Sequence, residues 1–239
     1  MNVQSLKLDQ ALGSREISRE KKKKKKRART ETDDDDDDDG AAMAVNGWRD
    51  TIVKSLKRNS RLAYARYAQL ATVREDGKPA NRTIVYRGFL NDTSHKLTFV
   101  TDKRSKKIDE LNANPFVELC WYFPQTREQY RIAGKMAVVK VDEQDQSMLK
   151  ARERAWTRMS DSGRSQFAWP HPGQRRTSDD SLFNPEPLTN EQPPLDDFCL
   201  LVLDPEQVDH LNLKSNERYI YKVVDEEKEE PWSQLRVNP

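Results

Sequence analysis

Cysteine, histidine and glycine are all scarce in this sequence of 239 residues, and it has no long apolar run. The two cysteines, Cys120 and Cys199, give neither a disulfide framework nor metal-ligand spacing. Each sits in an apolar run, Glu118-Leu-Cys-Trp-Tyr-Phe123 or Phe198-Cys-Leu-Leu-Val-Leu203, and reads as a small buried side chain. The three histidines, His95, His171 and His210, form no HxH or HExxH pair, so no metal is expected. The eight glycines nowhere build a GxGxxG turn, a P-loop or a nucleophile elbow. With no nucleophile signature and no acid/base pair, the chain either borrows its chemistry from a cofactor or performs none. No stretch of about eighteen apolar residues is present to cross a bilayer. The N-terminus lacks the apolar core of a secretory signal. The expectation is a soluble, cytoplasmic protein with no membrane partner.

Charge, in contrast, is plentiful at 34% of residues, and its distribution is uneven. Residues 1–40 hold eleven of the 42 Lys and Arg and eleven of the 40 Asp and Glu, so the formal net charge of +2 belongs to the remainder. Lys21 to Arg29 is almost wholly basic and Asp33 to Asp39 wholly acidic. Such a stretch buries too little apolar surface to offset the entropy of ordering, so residues 1–43 are expected to form a disordered tail and 44–239 one domain. The basic run is of the kind that serves as a nuclear-import address or binds nucleic acid. The adjacent aspartates would attract those lysines in cis, and a solvated tail is the simpler reading. Met43 offers an alternative start that would omit the tail.

Beyond Asn46 the pattern becomes that of a folded domain. Trp48, Ile52, Val53 and Leu56 form an apolar stripe at helical spacing behind Asn46 as cap, with a second helical stretch near Leu62 to Ala68. Strands are expected at 69–73, 82–87, 96–101, 116–123 and 129–141, with a helix at 105–114 and a longer one at 143–158. Residues 170–197 hold six prolines and read as an extended loop. Strands resume at 198–203, 207–213, 218–224 and 232–237. The early links are too short for parallel crossovers, so the expected fold is mainly β: a closed antiparallel sheet with helices packed outside.

Cations and hydroxyls cluster inside or just after these strands. Arg82-Thr-Ile-Val-Tyr-Arg87 places Arg82 and Arg87 on opposite faces of one strand. Thr101-Asp-Lys-Arg-Ser105-Lys106-Lys107 supplies hydroxyls and ammonium groups where a strand runs into a helix start, a junction that favours phosphate. Gln129-Tyr-Arg131-Ile-Ala-Gly134 adds a polar pair on one strand face, with a glycine permitting close backbone approach. An anionic ligand shared by Arg82 and Arg131, or an internal ion pair for each, would account equally for these arginines.

Taken in order, these segments, with Glu110-Leu-Asn-Ala-Asn-Pro115, Ser165-Gln-Phe-Ala-Trp169 and Trp232-Ser-Gln-Leu-Arg-Val-Asn-Pro239, resemble the pyridoxamine 5'-phosphate oxidase family of FMN-binding split barrels. The resemblance runs from about Trp48 to Pro239. It implies an antiparallel split β-barrel and a homodimer with FMN in a cleft between subunits. Arg82, Ser105, Lys106 and Lys107 would hold the FMN phosphate and ribityl end. The backbone around Thr83 and Val85, with Val100 and Thr101, would line the flavin. Gln129, Gln174 and Arg218 would complete the site, with Arg131 beside Gln129. Arg87 stands where the family has a lysine touching both flavin and substrate, which makes it the catalytic candidate. The implied reaction is oxidation of pyridoxamine or pyridoxine 5'-phosphate to the aldehyde with oxygen as acceptor.

Substrate residues carry over less well. The family's Arg-x-His element before the arginine matched by Arg218 is missing, and Leu211 stands near the position of a family tryptophan. Arg158 or Arg164, with Ser165, would grip a substrate phosphate. Trp169 and Trp232 read as packing residues, and Trp121 and Tyr122 as strand core. The alternative is an FMN-binding protein without B6 oxidase activity, acting as a carrier, sensor or reductase.

Overall fold

The computed structural model describes residues 47–224 and 232–239. The tail and nuclear-import readings of residues 1–43 lie outside the described residues. Trp48–Arg58 forms α1, which begins behind Gly47 and buries Trp48 and Ile52. The residues after it make a run of tight turns, Ala65 N–H to Leu62 O and Tyr67 N–H to Tyr64 O, and no second helix. Tyr67 and Ala68, expected to be helical, open a strand instead. The pull is tertiary: Trp121 Nε1 donates to the Ala65 carbonyl at 2.9 Å, and Ala68 is buried.

The strands are β1 (Tyr67–Val73), β2 (Pro79–Val85), β3 (Gly88–Phe89), β4 (Leu97–Asp102), β5 (Phe116–Phe123), β6 (Glu128–Val139), β7 (Phe198–Asn212), β8 (Glu217–Val223) and β9 (Trp232–Val237). Helix α2 (Lys106–Ala113) follows β4; α3 (Gln146–Thr157) and the short α4 (Asp161–Ser165) follow β6. Every described pairing is antiparallel, in the order β2-β1-β5-β6-β7-β4-β3, with β8 beside β7 and β9 beside β8. Two expected strands, 198–203 and 207–213, are one. Pro205 lies where the β6–β7 register shifts, and a Cβ on Gly134 opposite would fall on the Asp204 carbonyl. A bulge absorbs the missing N–H that would otherwise end the strand.

The order ends on β2 and β3, which are consecutive in sequence, so the curled sheet comes round on itself at residues 86–87. Tyr86 N–H bonds to Arg66 O beside β1, and Arg87 N–H to Thr98 O of β4. Between β2 and β4 the ladder is open, which makes the sheet a split barrel and leaves a seam. Trp48, Phe99, Trp121, Tyr130 and Leu201 belong to the core cluster inside. Helix α3 covers the outside of β6 and β7, where Ala151 packs on Val139, Leu200 and Val202. That burial on both faces explains the unbroken apolar run from Phe198 to Leu203.

Candidate functional site

The seam opens into a cavity of about 690 Å³, a size typical of cofactor sites. One wall is the free edge of β2, residues 82–85, with Arg87 beyond it. The facing wall is Val100, Thr101 and Asp102 of β4, continued by Ser105 and Lys107. Met159, Gly163, Gln166, Phe167, residues 169–177 and Phe183 supply the rest.

Its chemistry is cationic. Lys107 Nζ donates to Thr101 Oγ1 at 2.6 Å and to Ser105 Oγ at 3.0 Å. Burial, and then the charge of Arg82, lowers the Lys107 pKa, so this ammonium gains from an anion brought to it. Arg82 donates to Thr72 Oγ1 and, at 2.5 Å, to Glu110 of α2. Burial alone would raise the Glu110 carboxyl; the bonds from Thr72 and Arg82 outweigh it and hold the pKa below the usual value. Asp102, the one carboxylate lining the cavity among the described residues, is turned onto Arg104 at 2.6 Å. Ser105 stands at the N-cap of α2 but donates to Asp102 O, leaving the first N–H groups of that helix without a side-chain cap.

Arg87 differs from its neighbours. Its Nε is buried with no hydrogen-bond partner among the described residues, and burial, then the charge of Arg66, disfavours its protonated form. Arg87 also lines a second cleft of about 300 Å³ with Arg66, Arg154 and Arg158, over Phe89, Leu90 and Leu200. Among the described residues no carboxylate lines that cleft. Arg154 and Arg158 lie one helical turn apart, a spacing readable in the sequence; nothing there singles out Arg66.

Of the residues proposed from sequence, Arg82, Thr83, Val85, Arg87, Val100, Thr101, Ser105, Lys107 and Gln174 line the one cavity. Lys106 is exposed and does not. Gln129, Arg131 and Arg218 lie elsewhere. By register Thr83, Gln69, Cys120 and Arg131 form one row across the outer face of β2, β1, β5 and β6, so Arg131 is three strand spacings, roughly 14 Å, from Thr83. Arg131 and Arg218 both close on Asp209, Arg218 Nη2 at 2.8 Å. The chain therefore does not bring Arg82 and Arg131 to a shared anion: Arg82 turns in to Glu110 and Arg131 out to Asp209.

Other sequence readings change as well. Arg164 and Ser165 are not grips for a substrate phosphate: Arg164 is 1% exposed and donates to the carbonyls of Trp156, Met159 and Leu188. Ser165 Oγ donates to Asp161 O. Trp169 lines the cavity and is 36% exposed, whereas Trp232 packs against Trp48 with ring centroids 5.4 Å apart. Trp121 is buried, but Tyr122 points outward, as does the half-buried Cys120.

Residues 45–140 match the family model described as pyridoxamine 5'-phosphate oxidase, FMN-binding domain. Over 193 residues the chain is 39% identical to pyridoxine/pyridoxamine 5'-phosphate oxidase 2 of Arabidopsis thaliana, covering 80% of this chain and 96% of that protein. An uncharacterized protein of Saccharomyces cerevisiae is 26% identical across 80% of this chain and 98% of its own length. A solved structure from Nostoc punctiforme, a pyridoxamine 5'-phosphate oxidase-related, FMN binding protein, is 44% identical with a TM-score of 0.76, covering 82% of this chain and 100% of that one. The fold is thus that of an FMN-binding split barrel. The chain belongs to the pyridoxamine 5'-phosphate oxidase family, and its cofactor is FMN. The seam fits that group: a desolvated lysine, uncapped helix N–H groups and a guanidinium whose Nε has no partner among the described residues suit a phosphate, and free strand edges with apolar side chains suit a planar ring.

Proposed function

We propose that this protein is an FMN-dependent oxidoreductase that oxidises pyridoxamine and pyridoxine 5'-phosphate with oxygen as acceptor. The observation that carries this reading is Arg87, shared between the cofactor cavity and a cleft of arginines with no acid among the described residues. A phosphorylated substrate seated on Arg66, Arg154 and Arg158 would lie against the cofactor with Arg87 between them. Arg82, Thr101, Ser105 and Lys107 hold the cofactor's phosphate and ribityl end, and residues 82–85 with Val100 line its ring. FMN, when bound, supplies the hydride acceptor and the route of electrons to oxygen. The protein orients the reactants and balances charge.

A homodimer belongs to the same proposal. The outer face of β1, β5 and β6 carries Tyr67, Phe116 and Tyr122 exposed, and Gln129 and Arg131 share that face. A second copy packed there would carry Gln129, Arg131 and Arg218 towards its partner's seam. The test is oxygen uptake by purified yellow protein with pyridoxamine 5'-phosphate, and its loss in Arg87→Ala. Flavin-loaded protein that leaves this substrate unchanged under air would reject the oxidase and retain the cofactor.

That outcome would favour a second reading, an FMN protein acting as carrier, sensor or reductase on another substrate. It is supported by the β7–β8 hairpin, where the Arg-x-His element is missing and Arg218 is spent on Asp209.

A further inference from the structure

The stretch of chain between the barrel's helices and β7 divides at Leu188. Residues 188–198 are fastened from below. Arg164 Nε donates to Leu188 O at 2.7 Å, Trp156 Nε1 to Gln192 O at 2.8 Å, and Arg152 to Leu195 O at 2.7 Å and Phe198 O at 2.9 Å. Both arginines are buried, and Leu188 and Leu195 pack against the cluster of Trp156, Phe167 and Phe198.

Residues 170–187 are held differently. Among the described residues, every hydrogen bond and ion pair they make closes within the segment. Arg176 pairs with Asp180 at 2.6 Å, Asp179 bonds Thr177 and Ser181, and Asn184 N–H bonds Ser181 O. The Arg176 guanidinium sits 3.9 Å from the centroid of the Phe183 ring, which meets Trp169 edge-on at 5.8 Å. Gly173 takes φ +79°, a turn that strains any other residue. Yet His171, Gln174, Arg175 and Phe183 of this segment all line the cofactor cavity.

We propose that residues 170–187 are a preformed flap that closes over FMN, swinging between Trp169 and the fastened Leu188. The cofactor supplies the tie between flap and barrel that the protein lacks. The proposal rests on the FMN reading of the cavity. Gln174 and Arg175 present an amide and a guanidinium, groups that bond a phosphorylated, carbonyl-rich ligand. Because Arg176, Phe183 and Trp169 already order the segment, closure costs little further entropy, as expected of a rigid-body hinge.

Limited trypsin digestion at Arg175 and Arg176 tests this, on protein stripped of FMN and then reloaded, with occupancy read from flavin absorbance. Loading should slow cleavage there at least about tenfold, since an open segment is cut in proportion to its open population. Replacing Arg176 and Phe183 together with Ala should speed flavin release at least about fivefold while the apoprotein melts unchanged, because local order is lost and the core is not. Flavin bound at full occupancy with unchanged cleavage would overturn the flap alone, as would unchanged release from the double variant. Protein that takes up no flavin would overturn the cofactor reading and the flap with it.

Discussion

Two groups of cations on one barrel are treated in opposite ways. On the outer face, Arg131 and Arg218 close on the buried carboxylate of Asp209. Burial alone would raise that carboxyl; the bonds from Arg218 and Arg131 outweigh it and hold its pKa below the usual value. At the seam, among the described residues, Lys107 bonds only hydroxyls, Arg87 Nε bonds nothing, and Arg66, Arg154 and Arg158 share a cleft without an acid. The outer group is balanced by the fold itself. Apart from Arg82, which Glu110 holds at 2.5 Å, the seam keeps positive charge for something that arrives, so the pairing of cations, and not their number, separates a binding site from a structural ion cluster.

The contrast is broken most strongly at Lys107. Lys107→Ala should weaken FMN binding about a hundredfold, the upper range of a charge-assisted hydrogen bond; flavin fluorescence titration measures it, and a change below about threefold would move the phosphate elsewhere. Arg87→Ala should lower kcat/KM for pyridoxamine 5'-phosphate about thirtyfold, the loss of one charged contact to substrate. Its circular dichroism should match the parent.

On the balanced side the readout shifts from binding to stability. Asp209→Asn leaves two arginines without their carboxylate and should cost about 2 kcal/mol in urea unfolding. The same pair sets a pH dependence. A carboxyl with a lowered folded pKa contributes stability that is complete above its unfolded value, near 3.8, and is lost as pH falls through the folded value. The parent should therefore lose stability more steeply than Asp209→Asn on acidification below about pH 4. Equal acid limbs would show that Asp209 is not the group responsible. The smallest effect belongs to Lys106, exposed beside Lys107: Lys106→Ala should change FMN affinity less than about threefold, and only at low salt.

Much of this was readable residue by residue. The alternation of β1, β5 and β6 marks their strands, and the cations after β4 mark an anion site, because both signals are local. The helix expected near Leu62 to Ala68 failed because Trp121 and the pairing of β1 override local propensity. Pro205 suggested two strands because a bulge is a property of the pair, set by Gly134 on the neighbouring strand. The proline-rich stretch 170–197 looked uniform; its division at Leu188 depends on Arg152 and Arg164, which reach carbonyls far along the chain. Arg66 was invisible for the same reason, having no partner within its own segment.

The sequence by itself determined an antiparallel β domain and the family motifs, since strand period, turn chemistry and the order of short motifs are written in neighbouring residues. Only the tertiary structure decided which cations are free. Whether a guanidinium meets a carboxylate depends on register and on which face of a strand it leaves. Arg82 and Arg131 both meet a carboxylate, Glu110 inward and Asp209 outward, whereas Lys107 meets only the hydroxyls of Thr101 and Ser105 among the described residues.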